Sequence, residues 1–248
     1  MQFRILFNCL FVHNLVGVSL KLVSLFSGGK DSTYATLLAK KAGHSISCLL
    51  SIKSAAPESF MYHKQNIHLT RLSAASMDLP LIIVETSLGK EAELAPLEEE
   101  LAILKKKLKI DGVVTGAVAS TYQASRIQRI CNDLDLHCFN PLWQKDQLEL
   151  LNELLENKFE IIIVAVAAAG LDEKWLGRKL DKKVIAELVA LNKKYDINIA
   201  GEGGELETFV LDCSLFRKKI KILEAEKKFP GSSGELIIKK AELAAKKK

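Results

Sequence analysis

The sequence lacks the features that mark zinc-binding, disulfide-stapled and membrane-spanning proteins. Its five cysteines form no C-x-x-C pair, no paired His/Cys spacing and no dense framework, which argues against a zinc site and a disulfide scaffold. No apolar run approaches the ~20 residues that cross a bilayer. These absences predict a cytoplasmic protein that has reduced thiols and no membrane contact.

The chain also has little net charge outside its last ten residues. The formal charge is +5, but residues 239–248 hold five lysines and one glutamate, which together contribute +4. Because the remaining body is nearly neutral, we expect no stable binding to nucleic acid. We interpret residues 239–248 as a solvated basic tail, and a frayed helix end is favoured over a surface that contacts phosphate.

Residues 1–19 do not match a complete targeting signal. Their apolar stretch is interrupted by Asn8, His13 and Asn14, and it has no small-x-small cleavage site. We expect residues 1–19 to be an extension of doubtful authenticity, with initiation at Val18 or Leu20 placing the first strand near the terminus.

Strand and helix patterns alternate through the first two thirds of the chain, which predicts an α/β fold with a parallel sheet and helices on both faces. A second region begins near Ser120 and ends in antiparallel strands, which predicts a smaller α+β region. We therefore divide the chain into the N-terminal extension, a nucleotide-binding domain, a substrate-binding C-terminal domain and the basic tail. Their bounds are residues 1–19, 20–119, 120–238 and 239–248.

The hexapeptide SGGKDS, residues 27–32, separates the first apolar strand from the first helix. Its glycines allow a tight turn and close approach of a ligand, and the N–H groups that open the helix favour an anion. Lys30 adds a positive charge. The loop therefore predicts a phosphate cradle, and the alternative is a plain turn with Asp31 or Ser32 as N-cap.

Two common phosphate-binding motifs do not fit this loop. A P-loop of the form G-x-x-x-x-G-K-[ST] is excluded because Ser24 stands five residues before Gly29 and Asp31 follows Lys30. The pattern G-x-G-x-x-G is excluded because Gly28 and Gly29 are adjacent. SGGKDS instead resembles the SGGxDS pyrophosphate loop of the ATP pyrophosphatases, which cleave ATP to AMP and pyrophosphate while they activate a substrate as its adenylate.

Further motifs resemble one branch of that superfamily, the diphthine–ammonia ligases. The matching stretches are LFSGGKDSTYA, MYHKQNIHLT, VTGAVASTYQASRIQRIC, PLW, AAAGLDEKWLGR and GEGGELETFVLD. The resemblance implies a Rossmann-like, HUP-type pyrophosphatase domain followed by a branch-specific C-terminal region. It also implies ATP-dependent amidation of diphthine, the modified histidine of translation elongation factor 2, to diphthamide. Because no glutaminase domain is evident, free ammonia is the expected nitrogen donor.

The resemblance also implies roles for the loop residues. The carboxylate of diphthine would attack the α-phosphate of ATP, and ammonia would then displace AMP from the acyl-adenylate. Lys30 and Asp31 are the expected catalytic residues: Lys30 neutralises developing charge, and Asp31 holds Mg²⁺ directly or through water. The expected ligands of ATP and pyrophosphate are Ser27, Gly28, Gly29, Lys30, Asp31, Ser32 and Gly116.

The acidic motif GEGGELET, residues 201–208, is either a surface turn or a site for the fixed trimethylammonium cation of diphthine. Carboxylates and aromatic faces suit such a cation. We expect Glu202, Glu205 or Glu207, together with Trp143 or Tyr122, to surround it.

Further candidate substrate ligands lie in two other motifs. Gln123 and Arg126 follow the fourth predicted strand, near the expected nucleotide crevice, whereas Arg129 is as readily structural. His63, in the M-x-H element that begins at Met61, is a candidate substrate contact. Two alternatives stay open for LDEKWLGR, because Trp175 and Arg178 suit a lid and Trp175 equally suits the core.

Two other functions compete with the amidation of diphthine. Another ATP pyrophosphatase, such as a tRNA-modifying ligase or thiolase, would need a basic RNA-binding extension or paired catalytic cysteines. Cys131 and Cys138 are the candidate pair, but packing is the favoured role for both. A noncatalytic nucleotide-sensing module would bind ATP without forming AMP.

Overall fold

The computed structural model describes residues 18–54, 66–86 and 94–246. Residues 1–17, which make up most of the predicted extension, lie outside the described residues, as does the loop that carries Met61 and His63. Within the described part of the chain, no helix combines the length and the apolar character that a bilayer crossing requires.

The first sheet contains, within the described residues, five parallel strands in the order β3-β2-β1-β4-β5. Its strands are β1 (Lys21–Leu25), β2 (Ser45–Ser54), β3 (Leu81–Thr86), β4 (Gly112–Val114) and β5 (His137–Phe139). The connecting helices are α1 (Lys30–Lys41), α2 (Thr70–Met77), which follows a 3₁₀ turn at Ile67–Leu69, α3 (Leu94–Leu108) and α4 (Thr121–Asp133). The predicted Rossmann-like parallel sheet is confirmed.

Helices cover both faces of this sheet, because neighbouring residues of β1 point to opposite sides. Leu22 packs in the apolar cluster that contains Leu37 of α1, whereas Val23 packs in the cluster that contains residues of α3 and α4. Both β1 side chains are fully buried. A strand buried on both faces reads as a continuous apolar run, and this explains the pattern LVSLF.

The sequence analysis did not assign a strand to β5. Three residues are too few to show a period-two pattern, and this strand is defined by its pairing with β4, in which Val113 lies opposite Cys138. The first sheet therefore continues beyond residue 119, the expected end of the first domain. The chain changes sheet between β5 and the next strand.

The second sheet is antiparallel and has the order β7-β6-β9-β8. It comprises β6 (Glu160–Val166), β7 (Leu206–Asp212), β8 (Lys219–Lys228) and β9 (Gly234–Ala244), with helices α5 (Gln147–Glu156) and α6 (Lys182–Tyr195). The second sheet shares an apolar cluster with the α1 face of the first sheet. The predicted α+β C-terminal region is confirmed.

The prediction of a frayed helix at the basic tail is wrong. Strand β9 runs on to Ala244, with Lys240 opposite Glu224 and Glu242 opposite Lys221. Lys239 forms an ion pair with Glu226 at 2.6 Å. Opposite charges on facing strands, together with buried residues earlier in β9, make the segment a strand.

The motif LDEKWLGR is part of the core and does not form a separate lid. Trp175 is buried, and the Arg178 guanidinium lies 4.4 Å from the centre of its ring. The same guanidinium donates two hydrogen bonds, of 2.7 and 2.9 Å, to the Glu187 carboxylate on α6. The backbone that follows Trp175 pairs with β6 through two hydrogen bonds. The Ile163 N–H donates to the Arg178 carbonyl, and the Gly177 N–H donates to the Ile163 carbonyl. Of the two alternatives, the core position of Trp175 is confirmed.

A polar network joins α1 to α5 at the contact between the two halves of the chain. The buried Tyr34 hydroxyl donates to the Glu153 carboxylate at 2.7 Å, and Lys145 binds the other carboxylate oxygen at 2.8 Å. Burial, with the Glu153 hydrogen bond, raises the pKa of Tyr34 above its ordinary value. Burial opposes ionisation of Glu153, but the hydrogen bonds from Lys145 and Tyr34 outweigh it and lower the pKa of Glu153.

This network predicts a pH-dependent effect of Glu153→Gln. A carboxyl whose pKa is depressed by folding stabilises the protein above its ordinary value of 4.5 and loses that contribution as pH falls. We expect the substitution to lower the free energy of unfolding by about 1 kcal/mol at neutral pH, measured by urea denaturation. The difference from wild type should shrink below the ordinary pKa.

Glu156→Gln, on the exposed side of the same helix, is the matched control and should change stability little. Equal losses for the two variants, or a Glu153 effect independent of pH, would contradict this role of the network.

Candidate functional site

The candidate site lies at the carboxyl ends of β1 and β4, where the chain connections diverge to opposite faces of the first sheet. The helix that follows β1 covers one face, and the helix that follows β4 covers the other. Open parallel sheets bind ligands in the crevice at such a point. The SGGKDS loop therefore lies at the position that topology favours for a ligand.

The loop is shaped by its glycine and serine residues. Gly28 has a φ of +83°, a conformation that a side chain disfavours. The Ser32 hydroxyl accepts a bond from the Ser27 N–H at 3.2 Å, and Ser27 Oγ accepts one from the Gly29 N–H at 3.3 Å. The N–H groups of Asp31 and Ser32, at the start of α1, have no hydrogen-bond partner among the described residues. These two donors suit an anion.

Strand β7 holds the loop from the opposite side. The Val210 N–H donates to the Gly28 carbonyl at 3.0 Å, and the Thr208 hydroxyl accepts a 3.2 Å bond from the Lys30 N–H. A Cβ on Gly28 would lie 2.9 Å from the ring of Phe209. Because Gly29 supplies no side chain to cap α1, Thr208 performs that function from a distant part of the chain.

Thr208 is a residue that the sequence analysis did not single out. Thr208 is the last residue of GEGGELET, so the sequence places it in a family motif. Its role as a cap depends on a contact with a residue 178 positions away, which the sequence does not reveal.

The buried Lys30 forms an ion pair with the partly exposed Asp31 beneath the loop. The Lys30 side chain is 2% exposed, and its ammonium donates to Asp31 Oδ2 at 2.7 Å and to the Ala200 carbonyl at 2.5 Å. The other carboxylate oxygen, Asp31 Oδ1, is buried and has no hydrogen-bond partner among the described residues. A carboxylate oxygen with no donor suits a hard cation such as Mg²⁺.

Gly116 brings the loop after β4 against the start of α1. A Cβ at this position would lie 2.8 Å from the Asp31 carbonyl carbon and from the Ser32 nitrogen. Any side chain would therefore separate the two loops, so Gly116 sets the width of the crevice.

The acidic motif closes the crevice from the second sheet. Glu202 Oε1 accepts a 3.2 Å bond from the Val118 N–H, and the Glu205 carboxylate accepts a bond from the Asn198 N–H. Asn198 Oδ1 in turn accepts from the N–H groups of Ala200 and Glu202. The segment 198–205 is therefore an ordered loop, and one oxygen of each of these two glutamates serves that order.

Of the predicted aromatic ligands, Tyr122 lies at the start of α4 and Trp143 lies in the turn before α5. The Arg126 guanidinium stacks 3.4 Å from the centre of the Tyr122 ring. Gln123 donates its backbone N–H to Ser120 Oγ, and Ser120 is the N-cap of α4.

Trp143 precedes Gln144, whose N–H donates to the Val118 carbonyl at 2.7 Å. Val118 thus links the Trp143 loop to Glu202, whereas Arg129 lies exposed further along α4.

The four described cysteines are free and buried. A hydrogen bond with Cys131, with burial, raises the pKa of the Cys138 thiol above its ordinary value. Both residues pack in the cluster between the first sheet and helices α3 and α4. Within the described ranges no group of three His, Cys, Asp or Glu side chains could hold a metal ion. Packing therefore explains this pair.

The parallel sheet, with a phosphate-type loop at its switch point and a second sheet closing the crevice, defines an α/β protein of the ATP pyrophosphatase class. Family models named diphthamide synthase N-terminal domain and diphthamide synthase C-terminal domain match residues 20–138 and 146–244. The chain belongs to the diphthamide synthase family, and it is a ligase.

Curated relatives support this assignment along most of the chain. The proteins of Bos taurus and Homo sapiens named diphthine–ammonia ligase are each 37% identical to this chain, over 227 and 226 residues, with 84% of both chains covered. A Schizosaccharomyces pombe protein of the same name is 36% identical over 248 residues, which cover 92% of this chain and 40% of that protein.

A solved structure from Methanocaldococcus jannaschii, described as a predicted subunit of tRNA methyltransferase, is 16% identical to this chain. The match has a TM-score of 0.41 and covers 78% of this chain and 98% of that one.

The Thr208 cap predicts a local loss of stability in Thr208→Val. The substitution keeps the side-chain shape and removes the acceptor, so the Lys30 N–H loses its partner. We expect about 1 kcal/mol less stability and faster amide hydrogen exchange at the start of α1, measured by mass spectrometry. Thr208→Ser retains the hydroxyl and should restore protection. Equal exchange in the Val and Ser variants would rule out the cap.

Proposed function

We propose that this protein uses ATP and ammonia to amidate diphthine on translation elongation factor 2, with release of AMP and pyrophosphate. The observation that carries the proposal is the position of the SGGKDS loop at the switch point, where it is hydrogen-bonded to β7, the strand that follows the acidic motif. The free thiols of the described cysteines are consistent with action in a reducing cytoplasm.

The loop residues suit the binding of a triphosphate. The N–H groups of Asp31 and Ser32 lie at a helix N-terminus, where the helix dipole favours negative charge. Gly116 allows the opposite loop to approach these groups closely. Ser27 and the two glycines shape the turn that presents these donors, and departing pyrophosphate would gain hydrogen bonds from the two N–H groups as it takes up charge.

A magnesium ion would neutralise phosphate charge at this position. Asp31 is the residue that would hold it, directly or through water, because Oδ1 is buried without a donor. The fit depends on this one oxygen, and the phosphates and water would supply the remaining ligands.

The chemistry follows from the poor reactivity of a carboxylate toward ammonia. A carboxylate oxygen of diphthine attacks the α-phosphorus of ATP, the bond to the β-phosphate oxygen breaks, and pyrophosphate leaves. Ammonia then attacks the acyl carbon, AMP leaves with the bonding electron pair, and the ammonium loses a proton. The protein's contribution is to align the carboxylate with the α-phosphorus and to exclude water from the acyl-adenylate.

The trimethylammonium group of diphthine would lie against the acidic motif. Glu202 and Glu205 each use one carboxylate oxygen to accept a backbone hydrogen bond. Both negative charges therefore stay with the segment 198–205. Glu207 follows on β7, Tyr122 lies at the start of α4 with Arg126 over its ring, and Trp143 lies in the turn before α5. Carboxylates and aromatic faces attract a fixed cation that cannot donate a hydrogen bond.

The direct test combines the purified protein with ATP, Mg²⁺, ammonium and diphthine-bearing elongation factor. We expect one AMP and one amidated histidine per turnover, measured by nucleotide chromatography and by mass analysis of the modified peptide. A tRNA-dependent release of pyrophosphate would indicate the tRNA-modifying alternative. Nucleotide binding without AMP would indicate the noncatalytic module, and formation of ADP would contradict the adenylate route.

Asp31→Asn should separate binding from chemistry. The amide keeps the size of the side chain and weakens the hold on a cation, so we expect kcat to fall about 100-fold or more while the fold is retained. Steady-state AMP formation across a Mg²⁺ titration measures the effect. Asp133→Asn, exposed at the end of α4, is the control and should match wild type. Unchanged turnover in Asp31→Asn would refute its assignment to the metal.

A further inference from the structure

Lys30 does not have the environment of a lysine that reaches into an open crevice. Its side chain is 2% exposed and lies among the most buried large side chains of the described residues. Burial of an ammonium is costly unless acceptors surround it. Asp31 Oδ2 and the Ala200 carbonyl, at 2.7 and 2.5 Å, supply those acceptors.

The two acceptors belong to the two halves of the site. Asp31 is the carboxylate whose other oxygen is buried without a donor. Ala200 belongs to the loop 198–205, whose internal bonds fix Glu202 and Glu205. The Lys30 ammonium therefore connects the nucleotide loop to the acidic loop by one direct hydrogen bond, to a residue 170 positions away.

The backbone of Lys30 is bonded to the same part of the chain as its side chain. Its N–H donates to Thr208 Oγ1, which places both ends of the residue on the segment that runs from the acidic loop into β7. Two of the three ammonium N–H groups are committed, and a side chain that moved toward departing phosphate would lose both bonds and leave the Ala200 carbonyl without this partner.

We propose that Lys30 is a positioning residue that does not contact the nucleotide phosphates. It holds the Asp31 carboxylate through Oδ2, which leaves Oδ1 without a donor, and it fixes the acidic loop relative to that carboxylate. This role replaces the neutralisation of developing charge that the sequence led us to expect. This inference rests on the proposed function in one respect, which is the identity of the ligands that Asp31 and the acidic loop bind.

Chemical labelling of the native protein tests the proposal without a substitution. Reductive methylation with formaldehyde, followed by peptide mass analysis, reports which amines are accessible. We expect Lys30 to be protected both without and with ATP and Mg²⁺, whereas Lys40, exposed on the same helix, is labelled in both conditions. Labelling of Lys30 in the free protein that ATP then suppresses would overturn the proposal.

The variant Lys30→Met supplies the second measurement. We expect kcat for AMP formation to fall about tenfold or more while the KM for ATP changes less than about threefold, because the phosphates lose no ligand. Amide exchange over residues 198–205 should accelerate, and exchange in β1 and β4 should stay slow. Lys40→Met is the control and should match wild type in all three measurements.

A large rise in the KM for ATP with unchanged exchange over 198–205 would overturn the positioning role. If Lys30→Met does not fold, the labelling result alone decides. Labelling and hydrogen exchange require no turnover, so a failure of the proposed reaction leaves both readouts intact and is distinguishable from a failure of this inference.

Discussion

The site depends on the contact between the SGGKDS loop and the edge of β7. One backbone hydrogen bond from Val210 to Gly28 and one side-chain bond between Thr208 and Lys30 dock the start of α1 onto the second sheet. Phe209 fills the space that a side chain at Gly28 would need. The SGGKDS loop is thus held on both sides, by its own strand and by a strand that follows almost 180 residues later.

This contact explains why two motifs that are distant in sequence serve one site. GEGGELET leads directly into β7, so the strand that caps α1 also places the acidic loop over the carboxyl end of the parallel sheet. Within that loop, Gly201 has a φ of +78°, and a Cβ there would overlap the Leu206 carbonyl. Gly201 therefore serves the close return of the chain.

Polar contacts concentrate at this junction, and the cost of burying Lys30 and Tyr34 is offset by their hydrogen-bond partners. Lys30 bonds Asp31 and the loop 198–205, and Glu153 bonds Tyr34 and Lys145 where α5 meets α1. An apolar junction could be as stable, but apolar contacts are non-directional and would let the two halves of the chain shift against each other. Directional hydrogen bonds restrict the two halves of the chain to one arrangement, and they fix the SGGKDS loop relative to the acidic loop.

The sequence by itself determined the local elements of this protein. Apolar runs with alternating helices specify the parallel sheet, and SGGKDS between a strand and a helix specifies a phosphate-type loop, because these features depend on neighbours in the chain. The family motifs were readable for the same reason. Strand β5 was not, since three residues carry no period and its place is set by pairing with β4.

Only the tertiary structure decided how the side chains are used. It assigned Thr208 to the cap of α1, Trp175 to the core, the basic tail to β9, and the ammonium of Lys30 to Ala200. Each of these roles joins residues that are far apart in sequence or lie on facing strands. Periodicity and motif spacing carry information about the next few residues, whereas these contacts exist only after the two sheets have docked.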